Sequence, residues 1–108
     1  MTRPTIDELE IMTPYELWDL LIYEVYRSSS NFQFIQDLIT CGCPLDIRDF
    51  RGRTPLHWAV IFGHFHLEVA KLLISNGADV NIRDEYGNTA WDCASNKTRK
   101  AIPGLEPK

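Results

Sequence analysis

A chain of 108 residues has room for one domain, and its net charge of −4 argues against bulk binding to nucleic acid or to an anionic membrane. With 44% hydrophobic and 24% charged residues, it has an average folded composition and enough apolar side chains for a modest core. No apolar run reaches the ~20 residues needed to span a bilayer, and MTRPTIDELEIM lacks the apolar stretch of an export signal.

Near the start, the acids Asp7, Glu8 and Glu10 read as a solvated face. In TPYELWDLLIYEVYR, Thr13 and Glu16 have capping-box spacing and Pro14 sits in the first turn. Leu17, Leu20, Leu21 and Val25 then fall on one face of a predicted helix, widened by Trp18 and Ile22. SSSN at 28–31 separates it from a second helix with Phe34, Ile35, Leu38 and Ile39, which stops at Gly42. Thr54 as N-cap and Pro55 open a third helix that runs through Leu56, Trp58, Ala59 and Val60 to Gly63. A fourth begins near Leu67, with Val69, Leu72 and Leu73 on one face, and ends at Gly77, a candidate left-handed cap. ADVNIRDEYGN then supplies the Asp, Asn and Gly of a tight turn.

The chain also repeats itself. GCPLDIRD at 42–49 recurs as GADVNIRD at 77–84, an offset of 35 residues that also relates Gly52 and Thr54 to Gly87 and Thr89. One offset shared by turn glycines and apolar positions implies a repeated supersecondary unit. From Asp49 to Asn81 that unit strongly resembles an ankyrin repeat. The pattern DxxGxTPLHxA is met by Asp49, Gly52, Thr54, Pro55, Leu56, His57 and Ala59. Its continuation is met by Gly63, His64, Val69, Leu72, Leu73, Gly77, Ala78, Asp79, Val80 and Asn81. DEYGNTAWDCA at 84–94 resembles a capping repeat, with Ala90 in place of the proline and Asp92 in place of the histidine.

The resemblance implies an all-α ankyrin-repeat solenoid of about three helix-turn-helix units with projecting β-hairpin-like loops. It is one domain over 1–108: an N-terminal cap repeat with a lengthened first helix at 1–48, a central repeat at 49–83 and a C-terminal capping repeat at 84–108. KTRKAIPGLEPK is too short for the full second helix of a last repeat, so a minimal protein and a fragment of a larger scaffold both stay open. Met1 and the cap-like ends favour a complete small protein.

Candidate chemistry is sparse. His64 and His66 look like half of a metal site, but the family pattern accounts for His64, and Phe65 and His66 read as a two-residue insertion in a longer loop. Cys41 and Cys43 lie a full repeat earlier and flank a helix-end glycine, so neither a four-ligand zinc site nor a redox pair is expected. The three cysteines, with Cys93, cannot all pair within one chain, which points to free thiols and a reducing compartment. We therefore expect the cytoplasm, with the nucleus also open to it. His57, at the TPLH position, is expected to bond backbone within its turn. No nucleophile–base set and no phosphate loop is present, so neither an enzyme nor a cofactor is expected.

What the resemblance does imply is a protein partner, bound through loop tips and the concave face of the first helices. Carried over by position, that surface comprises Arg48, Phe50, Arg51, Arg53, Ile61 and Phe62, then Arg83, Glu85, Tyr86 and Asn88. Four arginines on adjacent tips suit carboxylates, and the aromatic groups beside them are hot-spot types. The expected partner surface is therefore acidic and partly apolar, bound by a chain that is monomeric when free. Packing of Ile61 or Phe62 against the long first helix stands as an equal alternative. Joint replacement of Arg51, Phe62 and Arg83 by alanine is expected to remove capture without changing the melt.

The resemblance extends to adaptors, to inhibitors of cell-cycle proteins and transcription factors, and to effectors of viruses or intracellular bacteria. It also offers Asn81 as a modification site for a 2-oxoglutarate-dependent asparaginyl hydroxylase, with Leu73 eight residues upstream. An asparagine chosen for the turn explains the same residue. A structural spacer is the remaining alternative.

Overall fold

The computed structural model describes residues 4–26, 31–62 and 66–108, and among these it is all-helical, with no strand. The order is α1 (Ile6–Glu10), α2 (Pro14–Tyr26), α3 (Phe32–Thr40), α4 (Pro55–Ile61), α5 (Leu67–Ser75), α6 (Ala90–Cys93) and α7 (Asn96–Ala101). Helices α2, α4 and α6 stack side by side, with α3 and α5 packed behind them. This is a solenoid, in which each unit buries its apolar face only against its neighbours.

Local chemistry sets each helix end. Thr13 and Glu16 form the expected capping box ahead of α2: Thr13 N–H donates to Glu16 Oε1 at 2.9 Å and Glu16 N–H to Thr13 Oγ1 at 3.3 Å. Helix α3 is capped by Asn31, whose Oδ1 accepts from Phe34 N–H at 3.1 Å. At the other end of α5, Gly77 adopts φ +91°, and Gly77 and Ala78 donate to Ile74 and Leu73 carbonyls, both at 3.0 Å. That is a Schellman closure, and Gly42 and Cys43 repeat it on Ile39 and Leu38 one unit earlier.

The sequence pattern did not anticipate α1. TIDE at 5–8 is itself a capping box, with Thr5 N–H on Glu8 Oε1 at 3.1 Å. One turn of helix is enough to seat Leu9, fully buried, against the core beside α3. At the far end, the tail forms the short α7 and then lays Ile102 and Leu105 into the core. Between these ends lie Leu17, Leu21, Val25, Ile35, Leu38, Leu56, Ala59, Val60, Val69 and Leu73, the residues that the helical periodicity had placed inside.

Candidate interaction surface

Two loops project from the stack, residues 48–53 and 83–88, and their construction is the same. Asp49 N–H donates to Arg53 O and Asp84 N–H to Asn88 O, each at 2.8 Å. The Asp49 carboxylate accepts N–H bonds from Arg51 and Arg53, and that of Asp84 from Tyr86 and Asn88, between 2.9 and 3.0 Å. Arginine closes each loop: Arg48 Nε donates to Gly52 O at 3.1 Å and Arg83 Nη1 to Gly87 O at 2.8 Å.

The two loops are also fastened to each other. Arg48 Nη2 donates to Arg83 O at 2.7 Å, Glu85 N–H to Arg51 O at 2.9 Å, and Asp79 N–H to the Asp46 carboxylate at 2.9 Å. Gly52 sits at the tightest point, with φ +74°, where a Cβ would stand 2.9 Å from both Glu85 N and Arg48 Nη2. Only glycine fits the conformation and the space together.

Arg53 has a different role from the other tip arginines. Its Nε meets Asp84 Oδ2 at 3.3 Å, and its guanidinium lies 4.9 Å from the Trp58 ring centroid. Little of its side chain is left to offer outside. Trp58 is anchored in turn by donating Nε1–H to Asp49 Oδ2 at 2.6 Å. Burial pushes the Asp84 carboxyl up, but the N–H bonds from Asn88 and Tyr86 and the Arg53 guanidinium more than offset this and hold it below the ordinary range.

His57 behaves as the motif predicts. Nδ1 accepts Thr54 N–H at 3.2 Å, which leaves Nε2–H to donate to Asn88 O at 3.0 Å and so tie α4 to the second loop. Burial holds its pKa below the usual value, and the Asn88 bond only partly offsets that.

Beside the tips runs a row of rings. Tyr26 lies 4.8 Å from Trp58 and 5.9 Å from Phe62, and Phe62 lies 5.4 Å from His66, edge on. Phe62 is half-buried in this row, so it packs against the end of α2. An alanine there removes packing, and the triple replacement that includes it changes stability as well as surface. His66 is buried directly before α5 and faces Phe62, so it is an internal group and not a spare contact in an open loop. Gly63, His64 and Phe65 lie outside the described residues.

What remains open to a partner is Phe50 at 83% exposure and Tyr86 at 65%, with Arg51, Glu85, Asn88 and the edge of Ile61. Arg51 stacks over the Phe50 ring at 5.5 Å. Arg48 and Arg83 are exposed but already bonded to loop carbonyls. Asn81 is exposed; its N–H donates to Asp79 Oδ1 and its Oδ1 accepts Lys108 N–H, at 2.9 and 2.8 Å. Among the described residues, no three His, Cys, Asp or Glu side chains gather as metal ligands. All three cysteines are free, and burial pushes the Cys43 thiol up to about 12, far from a reactive thiolate. No helix among the described residues is long and apolar enough to cross a membrane.

The family model described as "Ankyrin repeat" matches residues 51–85. An ankyrin repeat-containing protein of Schizosaccharomyces pombe is 49% identical over 48 residues, 44% of this chain and 22% of that protein. An acyl-CoA-binding domain-containing protein of Arabidopsis thaliana is 51% identical over 41 residues, 38% of this chain and 11% of its own length. An ankyrin repeat protein of Monkeypox virus is 43% identical over 49 residues, 45% of this chain and 8% of that one. The chain thus spans a small part of each curated relative. Among solved structures, the ankyrin repeat domain of Bcl-3, a member of the IkappaB protein family, superposes with a TM-score of 0.68 at 24% identity, covering 78% of this chain and 36% of that one. Ankyrin repeats generally mediate protein–protein interaction. Taken with the duplicated loops and the stacked helices, these matches show that the chain carries an ankyrin repeat at residues 51–85 within the fold of an ankyrin repeat domain.

Proposed function

We propose that the chain is a non-catalytic binding module of the cytoplasm, an adaptor or inhibitor that grips the acidic, partly apolar surface of a protein partner with its two loop tips and the adjoining end of α4. The observation that carries this reading is the pair of exposed rings, Phe50 and Tyr86, on loops fastened to each other by Arg48 and by the Glu85–Arg51 backbone bond. Large exposed aromatics on a rigid frame lose little freedom on binding, which is what an interface anchor needs. Arg51 supplies the charge for a carboxylate, and Arg48 and Arg83 add field without having to leave their loops.

The test is affinity capture from cell lysate with the chain and with a Phe50→Ser, Arg51→Ser, Tyr86→Ser variant. None of these side chains supports the core, so the melting midpoint should move by no more than about 2 °C, the scale of a surface change. Loss of the captured proteins at an unchanged melt supports the reading. Undiminished capture refutes it.

A further inference from the structure

A second surface, opposite in charge to the tips, lies along α2. Its buried residues are Leu17, Leu21, Glu24 and Val25. The other side of the same helix carries Tyr15, Asp19, Ile22, Tyr23 and Tyr26, spaced i, i+4, i+7, i+8 and i+11 on one face. Tyr15 is 69% exposed and Tyr23 57%, and Asp19 between them is exposed. Ile22 is half-buried at the edge of the core, and Tyr26 joins the stripe to Trp58 and Phe62. Tyr15 and Tyr23 keep more than half of their surface open on this face, while Tyr26 packs on Trp58 and Phe62.

The unit that carries the stripe is predominantly acidic. Residues 4–26 and 31–47 contain eight acidic side chains and no lysine or arginine. Arg3 and Arg27, on either side of these stretches, lie outside the described residues. The cations of the described residues begin at Arg48, on the loops. Building on the reading of the chain as an interaction module, we propose that the α2 face docks a basic amphipathic helix of a partner protein. Its apolar side would lie on Ile22 and the tyrosine rings, and its lysines or arginines would lie over those rings and beside Asp19. The chemistry fits at each contact: tyrosine faces attract ammonium and guanidinium groups, long basic side chains lay their methylenes along apolar surface, and the predominantly acidic unit steers a cation in. α2 has 13 residues and so runs about 20 Å, enough to carry about four turns of a partner helix.

The probe is a synthetic helix of about 14 residues with leucine on one face and lysine on the other, compared with its glutamate–leucine counterpart. Binding is read by fluorescence anisotropy and mapped by amide chemical shifts on the full chain. The lysine–leucine peptide should bind, weaken as salt is raised, and shift Tyr15, Asp19, Ile22 and Tyr23, while the glutamate–leucine peptide should not bind. Tyr15→Ser with Asp19→Lys should weaken it by at least about tenfold, a loss of about 1.4 kcal/mol. Glu68→Lys on α5, which changes the net charge equally, should leave binding as it is. The tip variant should also bind normally, so this proposal and the tip surface fail separately. Equal binding of the two peptides, equal weakening by Glu68→Lys, shifts confined to the tips, or no binding would each overturn the proposal. Concentration-dependent shifts of the α2 face without peptide would assign it to a second copy of the chain and overturn the basic-helix reading as well.

Discussion

Replacing Arg53 with alanine tests whether the loop frame is held by buried electrostatics. The Arg53 side chain is 16% exposed and that of Asp84 0%, so solvent screens the pair little. The charge-assisted bond is worth about 1.5–3 kcal/mol and the stack on Trp58 about 0.5–2 kcal/mol. Freeing the arginine from its order in the native state returns about 2 kcal/mol. Asp84 keeps its two backbone N–H bonds but loses its only counter-charge at bonding distance among the described residues, which costs about 1 kcal/mol more, the low end for a buried group left short of one partner. The net destabilisation is about 2 kcal/mol. Unfolding entropy for 108 residues comes to about 0.2 kcal/mol per degree, so the midpoint should fall by about 10 °C in calorimetry at pH 7. Asp84 adds a sign to check. Its folded carboxyl titrates below the ordinary 3.8, so its contribution is complete above that pH and is lost as pH falls through the folded value. The gap between wild type and variant should therefore narrow below pH 3.8. A midpoint within about 2 °C of wild type at pH 7 would refute the argument, as would a gap that widens in acid.

The His57 imidazole is held below its ordinary value of 6.5, so the unfolded chain takes up its proton first; stability is complete above pH 6.5 and falls as pH drops through the folded value. Thermal melts at pH 7.5 and 5.5, taken with a His57→Gln variant, should show a slope that the variant flattens. Gly52→Ala places a methyl 2.9 Å from Glu85 N at positive φ and should cost about 2 kcal/mol or more; hydrogen exchange of Glu85 N–H should quicken, and an unchanged rate would contradict the stated fit. Phe62→Ala should cost about 2 kcal/mol by denaturant titration, because the ring packs on Tyr26, Trp58 and His66; a neutral result would return Phe62 to the open surface.

The sequence made the repeat legible because its signals are local and redundant: a proline and threonine at one helix start, glycines at the ends, and apolar spacing between. The core followed for the same reason. The tips were also placed by motif, since GxTPLH fixes the register of the loop before it. What the motif did not carry is the direction in which a long side chain turns. Arg48, Arg53 and Arg83 look alike in the sequence, yet one bridges two loops, one lies beneath Asp84 and one closes its own loop. Those roles depend on carbonyls and carboxylates up to 35 residues away. Helix α1 and its buried Leu9 were missed because one turn of helix shows no periodicity, although the Thr5–Glu8 spacing was the available signal; its acids Asp7, Glu8 and Glu10 are exposed, as the sequence reading had them. The tyrosines of α2 were passed over because the family pattern breaks down there, and the helix's buried face had already accounted for it.

The Arg48 bridge also acts as a length gauge. It spans from one loop to the equivalent residue of the next, so it forms only when neighbouring loops stand one solenoid step apart, whatever the chain does between them. Extra residues between α4 and α5 then have no effect on loop spacing, and the connection resumes at His66, which is buried edge on against Phe62. Such a scaffold can gain or lose residues between its helices while the spacing of its loops stays constant, so connection length and loop recognition can evolve independently.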